Sequence, residues 1–368
     1  MHIASITVGL LGVLAAGVSS IPTSPAAGIA TRQATCTTDN AIVRKEWTAM
    51  TRAERLAYIS GIKCLQSLPS RFPAGLIPAA INNYDDFTAV HINQSFSIHI
   101  SGTFLSWHRE MLHILEGELH SKCNYPVQLG IPYWNWLKDP LLDVSPIFSG
   151  ADDTLGSNGD PDPNPQPIQL TENVSIPHGT GGLCVTKGPF ANMEIRFGPF
   201  SPLLIPGGVI PANWTASNPR CLTRDFNPYI STTHLNVAFV TLLQASLTIA
   251  DFQDRLTPTA LGVTGLGLHR AGHLALGGPA SDFFASPQDP SFFLHHSQVD
   301  RMWTIWQDSD ITSGRRYAYN GTSTTNSPVG VTPEVNNSTV ITFGPLGESI
   351  SLGEAADPMA GRYCYRYE

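Results

Sequence analysis

A mainly α fold, with a four-helix bundle core wrapped by long loops and a few short β-strands, is what the sequence predicts. Three observations carry that expectation. From His91 to Glu116 the chain reads HINQSFSIHISGTFLSWHREMLHILE, and from His108 onward Leu112, Leu115 and Leu119 recur at helical spacing, which turns His108 toward a core. LGLHRAGHLALGG sets His269 four residues before His273, and DPSFFLHHSQVDRMW sets His296 four before Asp300 and seven before Trp303, each time on one helical face. Finally, 32 Gly and 29 Pro among 368 residues, with 14% charged, describe a loop-rich chain and neither a coiled coil nor a repeat array.

Taken in order, residues 1–20 (MHIASITVGLLGVLAAGVSS) hold an apolar run from Ile3 to Val18 that is short for a membrane span and ends in small residues. They are expected to be a signal peptide cleaved near Ser20, although only His2 stands where a basic residue is usual. Residues 21–40 are expected to form an N-terminal segment. Ile42 to Leu65 looks helical, with Thr51 as N-cap and Glu54 three residues later. Pro and Gly between Pro69 and Pro78 then break the chain into a loop.

The helix around His108 should end before Cys123, followed by the extended, aromatic-rich YPVQLGIPYWNWLKDP. Residues 149–220 keep no period and read as surface loops, for which a tie between Cys184 and Cys221 is suitable. Thr233 to Leu256 predicts one helix leading into the second histidine group. Beyond Trp306, runs such as STVITFG suggest small strands.

A net charge of −8, a pI near 5.8 and the lack of a basic run argue against a nucleic-acid partner. Past the leader no segment is apolar enough for a membrane span, so a soluble, secreted protein is expected. Cys36, Cys64, Cys123, Cys184, Cys221 and Cys364 form an even set without CxxC spacing, which in a secreted chain reads as disulfides, with the pairing left open. Sequons at Asn93, Asn173, Asn213, Asn320, Asn336 and Asn337 fit the same compartment and a glycoprotein.

One buried histidine is ordinarily just hydrogen-bonded core. Two separate groups of three are too many for that. Imidazole suits Zn, Cu, Fe and Ni, but non-haem iron usually recruits a carboxylate, and catalytic zinc needs one triad with an open position. Two all-histidine triads instead describe a pair of copper ions sharing an exogenous ligand.

These residues resemble the motifs of the tyrosinase and catechol oxidase family. His99, Phe104, Trp107-His108-Arg109, Leu112 and Glu116 are similar to its first copper motif (CuA), and Asp289-Pro290, Phe292, His296 and Asp300 to its second (CuB). Tyr133-Trp134-x-Trp136 and Tyr365-x-Tyr367 extend the similarity, with Arg44 in the place of an arginine that ties the two ends together. The resemblance implies a type-3 copper centre with two copper ions as cofactors: His91, His99 and His108 on CuA, His269, His273 and His296 on CuB. Arg109, Glu116, Asp300 and His295 are implied as supports of the ligand helices. His113, His120, His178 and His234 match no motif position and are read as structural. Phe283 resembles the gate over CuA, with Arg270 and Leu274 beside the substrate. Residues 41–368 are then the copper-binding catalytic domain, with no shielding domain after Tyr367.

The implied activity is oxidation of an o-diphenol, or an o-aminophenol, to an o-quinone by O2, with a phenolic small molecule and O2 as partners and a monomer or weak dimer as the assembly. Two alternatives are a tailoring oxidase of one phenolic metabolite or peptide and a haemocyanin-like oxygen carrier. The chain departs from the family pattern in two places. Ser97 stands near His99 where many relatives have a cysteine thioether-linked to that histidine. Arg270 follows His269 where hydroxylating members often have Asn, and Gln253 and Asp254 stand in the upstream helix where those members have a Glu. Weak monophenol hydroxylation and a taste for anionic rings are therefore expected.

Overall fold

The computed structural model describes residues 35–171, 173–201, 208–258, 265–325 and 334–368. The expected signal peptide, and the N-terminal segment as far as residue 34, lie outside the described residues.

Helices α1 (Arg52–Ser67), α2 (Asn83–Ile98) and α3 (Phe104–Lys122) come first. After a long excursion come α4 (Pro228–His234), α5 (Val237–Gln244), α6 (Ile249–Leu256), α7 (Leu268–Leu276) and α8 (Ser291–Asp308). Strands stay short and pair in twos. β1 (Ile42–Arg44) is the first in the chain. The excursion carries β2 (Gly159–Pro161), β3 (Ile168–Thr171), β4 (Val174–Ile176), β5 (Gly182–Val185), β6 (Glu194–Ile195) and β7 (Arg220–Cys221). Near the end come β8 (Val340–Ile341), β9 (Ile350–Ser351) and β10 (Tyr365–Tyr367). A mainly helical fold with a few small strands is thus what forms.

The four helices that matter for the site are α2, α3, α7 and α8, in which α3 packs on both α2 and α8 and α7 lies against α8. Leu112, Leu115 and Leu119 of α3 are all buried, as their spacing predicts, each contributing roughly 1.5–3 kcal/mol by leaving water. Thr51 caps α1 in a reciprocal capping box with Glu54.

Two sequence expectations need correction. Ile42–Arg44 is not helical; it is β1, paired in parallel with β10 in the register Ile42 to Tyr365 and Arg44 to Tyr367. A helix expected over Thr233–Leu256 is broken into α4, α5 and α6. Asn236 caps α5 and Thr248 forms a capping box with Asp251, and each cap restarts the backbone hydrogen bonding at a place where the apolar pattern alone runs on.

The cysteines close as Cys36–Cys364, Cys64–Cys123 and Cys184–Cys221. The first joins the two ends beside β1 and β10, the second fixes α1 to the end of α3, and the third ties the excursion as expected.

One buried carboxylate joins these layers. Asp300 of α8 accepts from Arg109 Nε of α3 at 2.6 Å, from Tyr365 and Tyr367 hydroxyls at 2.6 Å each, and from Arg44 Nη1 at 3.3 Å. Arg44 Nε also reaches Glu116 at 3.0 Å, while its guanidinium lies 3.6 Å over the Tyr365 ring. Burial alone would raise the Asp300 pKa, but the guanidinium charges of Arg109 and Arg44 and the tyrosine hydroxyls outweigh it, and the carboxyl is held below its ordinary value. Removing Asp300 leaves two cations buried without this partner. Asp300→Ala is therefore expected to cost roughly 3–5 kcal/mol in urea unfolding, and a loss below about 1 kcal/mol would contradict the role of this carboxylate.

Candidate dinuclear metal centre

Each histidine of interest is delivered by the end or inner face of a packed helix. His91 lies mid-α2, His99 is the residue that ends it, and His108 sits in the first turns of α3. His269 and His273 share the inner face of α7, and His296 that of α8. All are buried except His273, which is half-buried.

Hydrogen bonds fix which nitrogen faces inward. Nδ1 of His91 lies 2.7 Å from Phe284 O, that of His99 3.0 Å from Ser95 O, that of His108 2.9 Å from Phe104 O, and that of His273 2.7 Å from Ala280 O. A carbonyl only accepts, so each Nδ1 carries the proton and each Nε2 keeps its lone pair. His269 Nδ1 instead meets the Thr257 hydroxyl at 3.0 Å. His296 Nδ1 has no hydrogen-bond partner.

Those lone pairs converge. His273 Nε2 stands 3.0 Å from His269 Nε2 and 3.2 Å from His296 Nε2, while Nε2 of His91 and of His108 is buried with no partner at all. With its proton on Nδ1, His273 Nε2 is an acceptor toward both neighbours, and all three rings turn lone pairs inward to one cation when the His269 and His296 protons also sit on Nδ1. Tetrahedral binding at ~2.0 Å per nitrogen sets ligands roughly 3.3 Å apart, close to what is seen. Ring centroids in the other triad are 4.9 Å apart for His91 and His99 and 5.2 Å for His99 and His108. The triads abut: His108 stacks on His296 at 4.3 Å and 12°, and His99 lies 6.3 Å from His269.

His295 lies within reach of the α7 triad, yet both its nitrogens are engaged. Nε2 donates to His269 O at 3.0 Å, and Nδ1 accepts from the Trp136 indole at 3.2 Å. Its ring presses on α7 at Gly272, where an added Cβ would lie 2.1 Å from His295 Cε1. That contact explains the glycine in HRAGH. Every cysteine is in a disulfide, so none is left to crosslink His99.

Burial dominates the electrostatics, holding every one of these imidazoles below its ordinary pKa, with His99 pushed down to about 3 and His273 to about 4. Neutral imidazole is the form a metal needs.

An open pocket reaches the centre past Ile100, Thr257, Arg270, Leu274, Asp282 and Phe283, with His99, His269 and His273 at its base. The Phe283 ring lies 4.7 Å from His99. Arg270 donates from Nη2 to Pro258 O at 3.2 Å, and among the described residues no carboxylate pairs with it. Asp282 is spoken for, since its carboxylate accepts from the backbone N–H of Phe200, Phe284 and Ala285 at 2.6–3.0 Å. Sequence reasoning missed Ile100, Thr257 and Asp282 and gave Trp136 a place in a motif but no role. Thr257 and Asp282 lie at no helical spacing from a histidine, and Ile100 reads as an ordinary apolar neighbour of His99. Away from the centre, His120 bonds Leu129 O, His178 lies by Asp225, His113 packs on Tyr363 and His234 on Phe239.

Two abutting all-nitrogen triads on a helical core define a class of dinuclear metal proteins. Comparison narrows it: residues 81–309 match the family model described as the common central domain of tyrosinase, and the chain belongs to the tyrosinase family. Proteins of this family are type-3 dicopper proteins. The chain is 40% identical over 333 residues to Tyrosinase P of Aspergillus terreus, covering 89% of this chain and 92% of that one. It is also 40% identical over 346 residues to N-acetyl-6-hydroxytryptophan oxidase ivoB of Emericella nidulans, covering 90% and 94%. Among solved structures, a polyphenol oxidase variant from Thermothelomyces thermophila is 35% identical with a TM-score of 0.82, covering 90% of each chain. The protein is a tyrosinase-family oxidase.

Stability of the metal-free protein should fall on acidification. Between the depressed folded pKa values and the unfolded value near ~6.5, the unfolded chain binds protons that buried His91, His99, His108, His269, His273, His295 and His296 do not. Asp85 and Glu110, raised by burial to about 6 and about 7, act in the opposite sense but are outnumbered. The urea midpoint of chelator-treated protein is expected to be lower at pH 5.5 than at pH 7.5, and an equal or higher midpoint at pH 5.5 would contradict the buried neutral histidines.

Proposed function

We propose that the protein is a secreted type-3 copper oxidase that converts o-diphenols to o-quinones, and o-aminophenols to o-quinone imines, with O2. His91, His99 and His108 hold one copper through Nε2, and His269, His273 and His296 hold the other. The observation that carries this reading is the convergence of two histidine groups, with His273 Nε2 3.0–3.2 Å from Nε2 of His269 and His296 and with buried, unpartnered Nε2 atoms on His91 and His108. Three disulfides support an oxidising compartment, and among the described residues no helix is long and apolar enough to cross a membrane.

When bound, the copper pair supplies the two-electron exchange between diphenol and dioxygen. This chain's own residues do the rest. Carbonyls of Phe284, Ser95, Phe104 and Ala280 keep the protons on Nδ1, and Arg109, Glu116, Asp300 and His295 hold the ligand helices in register. Phe104, 4.7 Å from His269, and Phe292, 4.2 Å from His296, keep the interior dry. Phe283 and Leu274 bracket the incoming ring, and Arg270, paired with no carboxylate among the described residues, is the cation for a carboxylate on it.

Support for weak monophenol hydroxylation comes from the lack, among the described residues that line the pocket, of a carboxylate free to take the phenolic proton. Asp282 is occupied by backbone N–H groups, and Gln253 Oε1 accepts from Asn320 at 3.1 Å. A tailoring role on one phenolic metabolite is favoured by the Emericella nidulans relative, whose name specifies a hydroxylated aromatic amino-acid derivative bearing a carboxylate. Arg270 is suited to such a ring.

Oxygen uptake with catechol, 2-aminophenol and L-tyrosine side by side tests the reading. Fast uptake with the first two and little with tyrosine is expected; equal rates with tyrosine would overturn the diphenolase assignment, and no uptake with any would overturn the oxidase. Arg270→Gln is expected to lower kcat/KM for 3,4-dihydroxybenzoate about tenfold relative to catechol, the size of one lost charge-assisted bond. An unchanged ratio would remove Arg270 from substrate binding.

A further inference from the structure

Ile100, the residue after His99, has φ +46°. A β-branched side chain in the left-handed region is a genuine outlier, held only where surrounding structure over-determines it. The surroundings here are a strap formed by Gly321–Thr325. The Thr325 hydroxyl donates to His99 O, Thr325 N donates to Phe96 O at 2.7 Å, and Gly102 N donates to Thr322 O at 2.8 Å. Beneath it the loop is pinned to the end of α2, because the Ser101 and Thr103 hydroxyls both donate to Ser97 O. Gly102 lies so close under the strap that a Cβ would fall 2.2 Å from Val335 Cγ2 and 2.8 Å from Asn320 O. With both sides clamped, the turn between His99 and α3 is taken up at Ile100, where φ is positive.

The distortion has a product. Ile100 lines the substrate pocket together with Arg270, Leu274 and Phe283. Its cavity volume is about 50 Å³, against ~150 Å³ for an apolar cavity that encloses benzene, so a phenol ring is held there only in part.

We infer that Ile100, held in the left-handed conformation by the Gly321–Thr325 strap, is a specificity-determining residue that limits the bulk of the ring substituent accepted opposite the reacting edge. This rests on the proposed aromatic substrate and adds a size filter to the charge preference of Arg270. Here a hydrogen-bonded strap, fastened to the His99 carbonyl, both steadies that ligand and aims the neighbouring side chain.

The test uses copper-loaded protein and two non-oxidisable rings, benzoate and 4-tert-butylbenzoate, bound by calorimetry. Ile100→Ala and Ile100→Gly are each expected to raise the affinity for the tert-butyl ring relative to benzoate by about fivefold or more, the scale on which pockets discriminate hydrocarbon bulk. Since glycine accepts positive φ and alanine does not, Ile100→Gly is also expected to melt at a higher temperature than Ile100→Ala. An affinity ratio within twofold of the native one, or an alanine variant at least as stable as the glycine variant, would overturn the inference, as would no measurable binding of either ring. Because no turnover is read, a shifted ratio in a protein that consumes no oxygen would sustain this inference while sinking the oxidase, and normal oxygen uptake with an unshifted ratio would do the reverse.

Discussion

Neutral imidazoles facing one another across about 3 Å at the base of a pocket are the constraint on which this structure depends. Each Nδ1 proton given to a backbone carbonyl commits the opposite nitrogen to the interior as a lone pair. Burial holds every one of these rings below its ordinary pKa and so in the neutral form that can ligate a cation. Such a cluster suits a cation; imidazole serves Zn, Cu, Fe and Ni alike, and it is the tyrosinase family that is a type-3 dicopper one.

A second buried feature keeps the rings where they are. Asp300 is the meeting point of α8, of α3 through Arg109, and of the paired chain ends through Arg44, Tyr365 and Tyr367. His108 and Arg109 are neighbours on α3, and His296 lies one turn before Asp300 on α8. The ion pair between Arg109 and Asp300 therefore sets the helix register that stacks His108 on His296. His295 acts comparably for α7, bonding the backbone of His269 and resting on Gly272.

The histidine helices were legible because their signals are local: three leucines at helical spacing behind His108, an HxxxH pair, and the Thr51–Glu54 capping box. Residues without a local signal were not. β1 is three residues long and owes its conformation to β10 at the far end of the chain, so nothing near Ile42 announces it. The breaks between α4 and α5 and between α5 and α6 turn on caps at Asn236 and Thr248 inside an otherwise continuous apolar pattern. Thr257, Trp136 and Ile100 reach the site through loops whose paths no periodicity reports, and a positive φ at an isoleucine is the opposite of what its side chain prefers. The cysteine pairing needed the distances between chain segments.

Metal analysis of the purified protein, combined with electron paramagnetic resonance of its oxidised form, bears most directly on the central claim. Two copper ions per chain with no resonance signal, because the two spins are coupled, is the predicted result. One copper per chain, none, or two giving separate uncoupled signals would contradict a centre in which the two triads share their metals' chemistry.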